Sequence, residues 1–280
     1  MRRVGAGVPE GHTIHRLARD LSRSFGRREV AASTLQDRFE QGAALIDGST
    51  LTRTEAHGKH LFLVFRAHRP ADRLLHIHLG LYGKFPIAAL PAGEPRGALR
   101  LRLANESAWA DLRGPTACEL ITPLEREVIL ARLGPDPLRS DAEPERAWAR
   151  ISRSRVAIGA LLMQQEVLSG IGNVYRAEVL FRHRISPFRE GREVARDEWD
   201  AIWADLVELL RAGVRAGRIV TTLPADRPRR GRQPRSKTLR ADSFYVYRRT
   251  GLPCRICGTE IRTEVMATRN LFWCPTCQAG

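Results

Sequence analysis

Apolar residues recur along the chain at two different periods. Between residues 12 and 25, Ile14, Leu17, Leu21 and Phe25 fall at three- and four-residue intervals with arginines between them, which predicts an amphipathic helix. From about 50 to 122 the period drops to two. Leu61-Phe62-Leu63-Val64-Phe65 is a short apolar run. Leu75, Ile77 and Leu79 alternate with His76 and His78, and Leu99, Leu101 and Leu103 alternate with Arg100 and Arg102. Turn formers such as Pro91, Gly93 and Pro95 separate the runs. Successive side chains of a strand point to opposite faces, so this stretch predicts antiparallel strands in a sandwich or barrel.

The stretch 134–145, GPDPLRSDAEPE, has the composition of a linker. Helical spacing returns beyond it. Ile158, Leu161, Leu162 and Gln165 lead into Ser169-Gly170-Ile171-Gly172, which predicts a turn, and a second helix runs from Asn173 through Tyr175, Val179 and Leu180. A third runs from about Asp197, a plausible cap, to Ala216, with Ile202, Leu206, Leu209 and Leu210 on its buried face. Trp199 and Trp203 share that spacing and read as core. Cys118 reads as a buried hydrophobe. His76 and His78 share a strand face but no third ligand is evident, so they read as structural. No internal repeat is present.

Charge narrows the class. Forty-six Lys and Arg face 31 Asp and Glu, a formal charge of +15, which points to a polyanionic partner, most often nucleic acid. Hydrophobic residues make up 43 % of the chain, enough for a real core. No apolar run approaches the ~18 residues of a membrane span, and the first eight residues lack the apolar core of a secretory signal. The stretch 224–240, PADRPRRGRQPRSKTLR, is strongly basic; it reads as a segment that tracks phosphates, or otherwise as a solvated loop.

The sharpest chemical signal is Cys254-x-x-Cys257, then sixteen intervening residues, then Cys274-x-x-Cys277. Two such knuckles present four thiolates to one zinc ion per chain. Four ligands close the coordination sphere, so the zinc is expected to be structural. Paired spacing of this kind indicates a reducing compartment and not a disulfide framework, hence a cytoplasmic protein, associated with the nucleoid if DNA is the partner. Residues 258–273 should form a hairpin, Thr263 and Val265 in strands, with Arg269-Asn270 at the tip where a cation enters a DNA groove. The helix–Gly170-Ile171-Gly172–helix arrangement adds an anion site. The first-turn N–H groups of the second helix are unsatisfied and suit phosphate.

These motifs lie in a fixed order: PEGHTIHRL, Gly58-Lys59-His60, Leu81-Tyr82-Gly83, Gly134-Pro135-Asp136-Pro137-Leu138, Gly170-Ile171-Gly172-Asn173 and RNLFWCPTCQ at 269–278. As a series over residues 9–278 they resemble the Fpg/Nei family of DNA glycosylase/AP lyases, endonuclease VIII-like branch. The resemblance implies an α+β architecture: an N-terminal antiparallel β-sandwich with a leading helix (9–133), a linker (134–150), a helical helix-two-turn-helix domain (151–240) and a zinc-finger β-hairpin (241–280). DNA would bind between the lobes. The protein would be a monomer acting on abasic or oxidised-base sites, with no nucleotide cofactor and no membrane.

The resemblance also assigns roles. The family nucleophile is an N-terminal proline, here Pro9. A free secondary amine attacks the anomeric carbon and forms an iminium. Acylated by Val8, the nitrogen is an amide without a nucleophilic lone pair. Residues 1–8 are therefore expected to be an annotation artefact, with Val8 marking a GTG start, or else to be trimmed. Glu10 would handle protons at the sugar; the simpler role for it is a helix cap. Lys59 matches the catalytic-lobe lysine that reaches phosphate. Asn173 and Arg269 match the phosphate-holding side chains of the helical and zinc motifs. Leu81 and Tyr82 match the wedge that fills the stack once a base is flipped, with core packing as the plain alternative.

Two departures bear on substrate. His12-Thr13 stand where the family often has Pro and Glu, so a second glutamate's role is not transferred. Gly114-Pro115 follow Arg113 where the 8-oxoguanine branch usually carries an aromatic. This favours oxidised pyrimidines, removed by Schiff-base chemistry followed by β,δ-elimination. The competing readings are a non-catalytic zinc-finger DNA-damage or single-strand binder and an 8-oxoguanine-preferring glycosylase.

Overall fold

The computed structural model describes residues 9–66, 73–227 and 242–279 and divides the chain into two units, 1–132 and 133–280. The basic stretch read at 224–240 is described only to Arg227, and residues 1–8 also lie outside the described part. No helix among the described residues is long and apolar enough to cross a membrane.

The first unit opens with α1 (Gly11–Phe25), then β1 (Glu29–Ser33), α2 (Glu40–Ile46), β2 (Ser49–His57), β3 (His60–Arg66) and β4 (Arg73–His78). It continues with β5 (Ile87–Ala89), β6 (Leu99–Ala104), β7 (Ala108–Arg113), β8 (Ala117–Ile121) and α3 (Pro123–Ala131). The strand order is β5-β7-β6-β1-β2-β3-β4-β8, every pairing antiparallel. Strand β1 joins the two halves: Glu29 and Val30 pair with β2, and Ala31–Ser33 pair with β6. Alternation then decides the core. Leu61, Leu63, Phe65, Leu75 and Ile77 from one half meet Leu101, Leu103, Ala110 and Leu112 from the other, with Ile14, Leu21 and Phe25 of α1 packed against them. This is the sandwich with a leading helix that the two periods predict. Cys118 is buried in the same core, which pushes its thiol pKa up to about 12.

The second unit holds α4 (Pro144–Ile151), α5 (Ile158–Leu161), α6 (Asn173–Arg182), α7 (Arg196–Ala216), β9 (Arg262–Met266) and β10 (Arg269–Trp273). The stretch with a linker's composition is built into this unit. Gly134, Pro135, Asp136 and Pro137 are buried, Gly134 N donates to Gln165 O (2.8 Å), and Ser169 N donates to Pro135 O (3.1 Å). A Cβ on Gly134 would fall 2.4 Å from Val167 O, so only glycine permits that approach.

Helix α7 buries Trp199, Ile202, Leu206, Leu209 and Leu210, with Trp203 packed at the edge of the same cluster. Its cap differs from the one expected. Ala195 is the N-cap and Asp197 lies inside the first turn; Glu198 reaches back to accept from Ala195 N at 2.8 Å. A glutamate at the third helical position satisfies the backbone N–H of the N-cap residue, the glutamate half of a capping box. The C-terminus closes on Gly217 in the left-handed conformation, φ 69°.

Candidate active site and zinc centre

In the first unit, α1 and β2 run antiparallel to each other. Arg27 N donates to Leu51 O (2.7 Å) at one end, and Thr54 Oγ1 donates to Ala18 O (2.8 Å) further along. From Ala18 back to Glu10 the helix spans ~12 Å; from Thr54 to Gly58 the strand spans ~13 Å. The start of α1, carrying Pro9 and Glu10, therefore lies at the end of the unit where the β2–β3 hairpin turns. That turn is the two residues Gly58-Lys59 between the paired His57 and His60, with Gly58 at φ 57° as such turns require. Lys59 is half-buried, and so is Pro9. Glu10 is the N-cap residue of α1, yet its side chain makes no capping hydrogen bond and is fully buried. The simple capping role is thus not the one this carboxyl adopts.

His12, two residues on, is 5 % exposed and lies 3.3 Å from Thr13 Oγ1. Burial, with Arg16 and His15 adding to it, pushes its pKa down to about 4. His12 is therefore a neutral imidazole, with Thr13 after it at the position of the glutamate whose role was not transferred.

Behind Lys59 is a polar chain that sequence reading missed. His76 Nδ1 lies 3.0 Å from Glu119 Oε1, and His76 Nε2 lies 2.9 Å from His60 Nδ1. The groups come from β8, β4 and β3, on one face of the sheet. The pKa of His60 is pushed down to about 3, first by burial and then by His78 and His76. That of His78 is lowered chiefly by burial. His76 and His78 do have further polar neighbours, but these stand across strands, and only cross-strand register could have revealed them.

Leu81 and Tyr82 occupy the turn after β4 and are 40 % and 84 % exposed, which excludes the core alternative. Gly83 N donates back to Leu79 O (3.0 Å), and a Cβ on Gly83 would fall 2.2 Å from that oxygen. Gly114 (φ 60°) adjoins this turn: a Cβ there would lie 3.8 Å from Tyr82 O. The two stretches singled out for base recognition are therefore neighbours.

In the second unit, Gln165 ties the glycine turn together, its Oε1 accepting from Gly170 N (3.1 Å) and its Nε2 donating to Ile171 O (2.9 Å). Helix α6 then starts at Asn173, whose Nδ2 donates to Asn270 O at 2.9 Å. The structure thus brings the helical motif and the zinc hairpin together. The hairpin tip is Ala267-Thr268, both left-handed at φ 51° and 59°, and not Arg269-Asn270. Arg269 is the first residue of β10, opposite Met266, and is exposed. The two-residue turn falls two residues before the Arg269-Asn270 pair expected at the tip.

All four Sγ atoms of Cys254, Cys257, Cys274 and Cys277 lie within 4.8 Å of one another. Cys254 and Cys277 are 3.9 Å apart and Cys257 and Cys274 3.4 Å. Tetrahedral zinc with ~2.3 Å bonds needs sulfurs about 3.8 Å apart, so the set fits zinc. Backbone donors from Ile256 to Cys254 Sγ (3.5 Å) and from Cys277 to Cys274 Sγ (3.4 Å) support the thiolates. Gln278 Oε1 accepts from Cys274 N, and its Nε2 donates to Ile185 O, both at 3.0 Å, docking the knuckle on the helices. The four thiolates hold one structural zinc, which leaves no open coordination position for chemistry.

Known proteins match along both units. Residues 8–118 match the formamidopyrimidine-DNA glycosylase N-terminal domain, 133–224 the formamidopyrimidine-DNA glycosylase H2TH domain, and 251–280 the zinc finger found in FPG and IleRS. "Endonuclease 8 1" of Mycobacterium bovis is 48 % identical over 97 % of this chain and 100 % of that protein. "Formamidopyrimidine-DNA glycosylase" of Thermus thermophilus is 30 % identical over 97 % of each. Among solved structures, the Lactococcus lactis Fpg complex with abasic-site DNA has the same fold, with a TM-score of 0.77 over 97 % of this chain and 100 % of that one at 23 % identity. With its length matched by curated relatives at up to 48 % identity, the chain belongs to the formamidopyrimidine-DNA glycosylase and endonuclease 8 family.

Proposed function

We propose that this protein is a bifunctional DNA glycosylase/AP lyase of base excision repair, working as a monomer on the bacterial nucleoid and removing oxidised bases, pyrimidines above all. The observation that carries this is the pairing of Pro9 with a fully buried Glu10 at the end of the unit where the Lys59 hairpin turns, in a chain of this family. A buried carboxyl next in the chain to the amine is placed for proton transfer.

The chemistry follows from the amine. The nitrogen of Pro9, freed from Val8, attacks C1′ of the damaged nucleotide. The N-glycosidic bond breaks and the base leaves with a proton. The ring C1′–O4′ bond then opens, Glu10 supplying the proton to O4′, and leaves an iminium at C1′. Loss of a proton from C2′ expels the 3′ phosphate, and a second elimination expels the 5′ phosphate. Water releases the sugar fragment and returns the amine. Lys59, Asn173 and Arg269 hold phosphates, and Leu81 and Tyr82 fill the space of the flipped base. The zinc orders the hairpin and takes no part in these steps. Preference for pyrimidines is supported by Gly114-Pro115, which offer no aromatic beside Tyr82, and by the name of the 48 % identical relative.

Borohydride trapping on an abasic-site duplex tests the reading. Two proteins are compared, one beginning at Pro9 and one retaining residues 1–8. Only the first should cross-link. Binding by both without cross-linking of either would refute the lyase and leave a DNA-binding protein. Relative cleavage of thymine glycol and 8-oxoguanine duplexes tests the substrate preference.

A further inference from the structure

We propose that Arg176 is a positioning residue for the DNA contacts of Asn173 and Arg269. It sets the orientation of the Asn173 carboxamide and ties the zinc-finger hairpin to helix α6. The proposal rests on the DNA-binding role argued above.

Arg176 lies in the first turn of α6 and is fully buried, although a charged side chain there would ordinarily face solvent. Its guanidinium donates to three elements. One nitrogen, Nη2, donates to Asn173 Oδ1; the other, Nη1, lies 3.3 Å from Gly159 O of α5 and 3.2 Å from Met266 O at the end of β9. A planar fork with fixed donors serves three acceptors in different directions; a lysine ammonium on a flexible stem does not hold them in one geometry.

The consequence for Asn173 is a choice of amide face. A guanidinium has donors only, so the carboxamide must turn its oxygen toward Arg176. The Nδ2 group then points the other way. One of its N–H bonds goes to Asn270 O at 2.9 Å, and the second is left for an incoming acceptor such as a phosphate oxygen. Reversal of the amide would set NH2 against the guanidinium and withdraw that donor. Arg176 lies in the first turn of α6, so its guanidinium sits near the helix N-terminus, where an anion is favoured.

The consequence for Arg269 is register. Met266, whose carbonyl Arg176 holds, is the cross-strand partner of Arg269 over the Ala267-Thr268 turn. The tip is pressed close to α5 at the same place. A Cβ on Gly159 would lie 3.0 Å from Met266 Sδ and 2.9 Å from Pro187 O. Arg176 thus grips the hairpin directly opposite the side chain that would reach DNA, and grips Asn173 with the same group.

The test is a double-mutant cycle on the full chain with a duplex carrying a tetrahydrofuran abasic analogue, whose binding needs no free amine. The proteins are wild type, Arg176→Met, Arg176→Lys, Asn173→Ala and Arg176→Met/Asn173→Ala. Affinity is measured from low to high salt, with zinc content and Tm for each. Arg176→Met should weaken binding about tenfold and flatten the slope of log K against log salt by about one, the mark of a lost phosphate contact. Arg176→Lys should recover less than half of the loss. In the Asn173→Ala background the Met substitution should cost clearly less than it does alone. Wild-type-like binding by a zinc-loaded Arg176→Met protein, or strict additivity in the cycle, would overturn the proposal. If both Arg176 variants lose zinc, Asn173→Asp decides: a carboxylate facing Arg176 should keep or raise Tm while weakening binding, and a lowered Tm overturns the grip. Failure of the wild type itself to bind the duplex would count against the glycosylase reading, and the Tm values would then judge the Arg176 contact alone.

Discussion

Glu178 gives the most quantitative test of how the second unit is held together. Its side chain is fully buried on α6, and both oxygens are used. Oε1 accepts from the backbone N–H groups of Val246 and Tyr247 at 2.8 Å each. Oε2 accepts from Tyr245 N at 2.8 Å and is paired with the Thr221 hydroxyl. Thr221 in turn donates to Ser243 O, at 3.1 Å from the hydroxyl and 2.9 Å from the backbone N. Burial pushes the pKa of Glu178 up, against the hydrogen bonds from Thr221, Tyr245, Tyr247 and Val246 that pull it down, the Thr221 hydroxyl donating to Oε2. Glu178→Gln can place its NH2 at Oε2 and donate to Thr221 Oγ1 once that hydroxyl turns wholly to Ser243 O. It must then set an NH2 against Tyr245 N, which orphans one buried N–H at a cost of about 2 kcal/mol. Glu178→Ala orphans three backbone N–H groups and should cost at least about 3 kcal/mol before any cavity is counted. Urea unfolding followed by tryptophan fluorescence suits this region, since Trp148, Trp199, Trp203 and Trp273 all lie in the second unit. A raised carboxyl pKa also has a sign. The folded unit keeps a proton that the unfolded chain loses above its ordinary value of 4.5, so this contribution is full below that pH and fades as pH rises through the folded value. Glu178→Gln should remove that dependence. Equal losses below about 1 kcal/mol for Gln and Ala would mean that water reaches these N–H groups and would refute the reasoning.

Three further outcomes are expected. In the first unit His12 and His60 have folded pKa values depressed to about 4 and 3 from an ordinary 6.5, so their contributions hold above pH 6.5 and are lost as pH falls toward those values. Between pH 7 and 5 each should cost about 2 kcal/mol of stability, and His60→Asn should halve the combined loss in urea titrations at the two pH values; an unchanged pH dependence would exclude His60 as its source. Stripping zinc with a chelator, or Cys274→Ser, should release the Asn173–Asn270 contact and lower affinity for abasic duplex at least tenfold with the fold of the first unit retained by circular dichroism, because zinc binding carries folding energy. Leu81→Ala/Tyr82→Ala should slow excision of an oxidised base from duplex about tenfold while slowing borohydride trapping at a preformed abasic site less, since the missing base there needs no expulsion; equal slowing of both would argue against a wedge.

How far the sequence carried the reading depended on the range of the interaction. The sandwich strands were legible because a period of two is local: Leu61, Leu63 and Phe65 announce their face without knowledge of a partner. The zinc knuckles were legible because chelation requires two short, fixed spacings. The groups that hold these parts in place were not. His60, His76 and Glu119 are far apart in sequence and meet only through the register of β3, β4 and β8. Arg176 and Glu178 look like the polar side of an amphipathic helix, yet nearly all of α6 is buried and both charges point inward to backbone groups. The only local trace of Arg176 is its three-residue spacing from Asn173, which puts the two side chains on one face of the helix. The stretch 134–145 misled in the opposite direction, because Pro and Gly mark flexibility only where nothing packs on them. At Gly134 the absence of a side chain lets Val167 O approach, and the same composition becomes part of a core. Buried polar contacts set angles and registers in this protein, and most of those named join groups far apart along the chain. On the proposal above, Asn173 and the hairpin register depend on Arg176, which hydrophobic patterning assigns to solvent, so its substitution should weaken DNA binding, whereas substitution of Glu178 should weaken the fold itself.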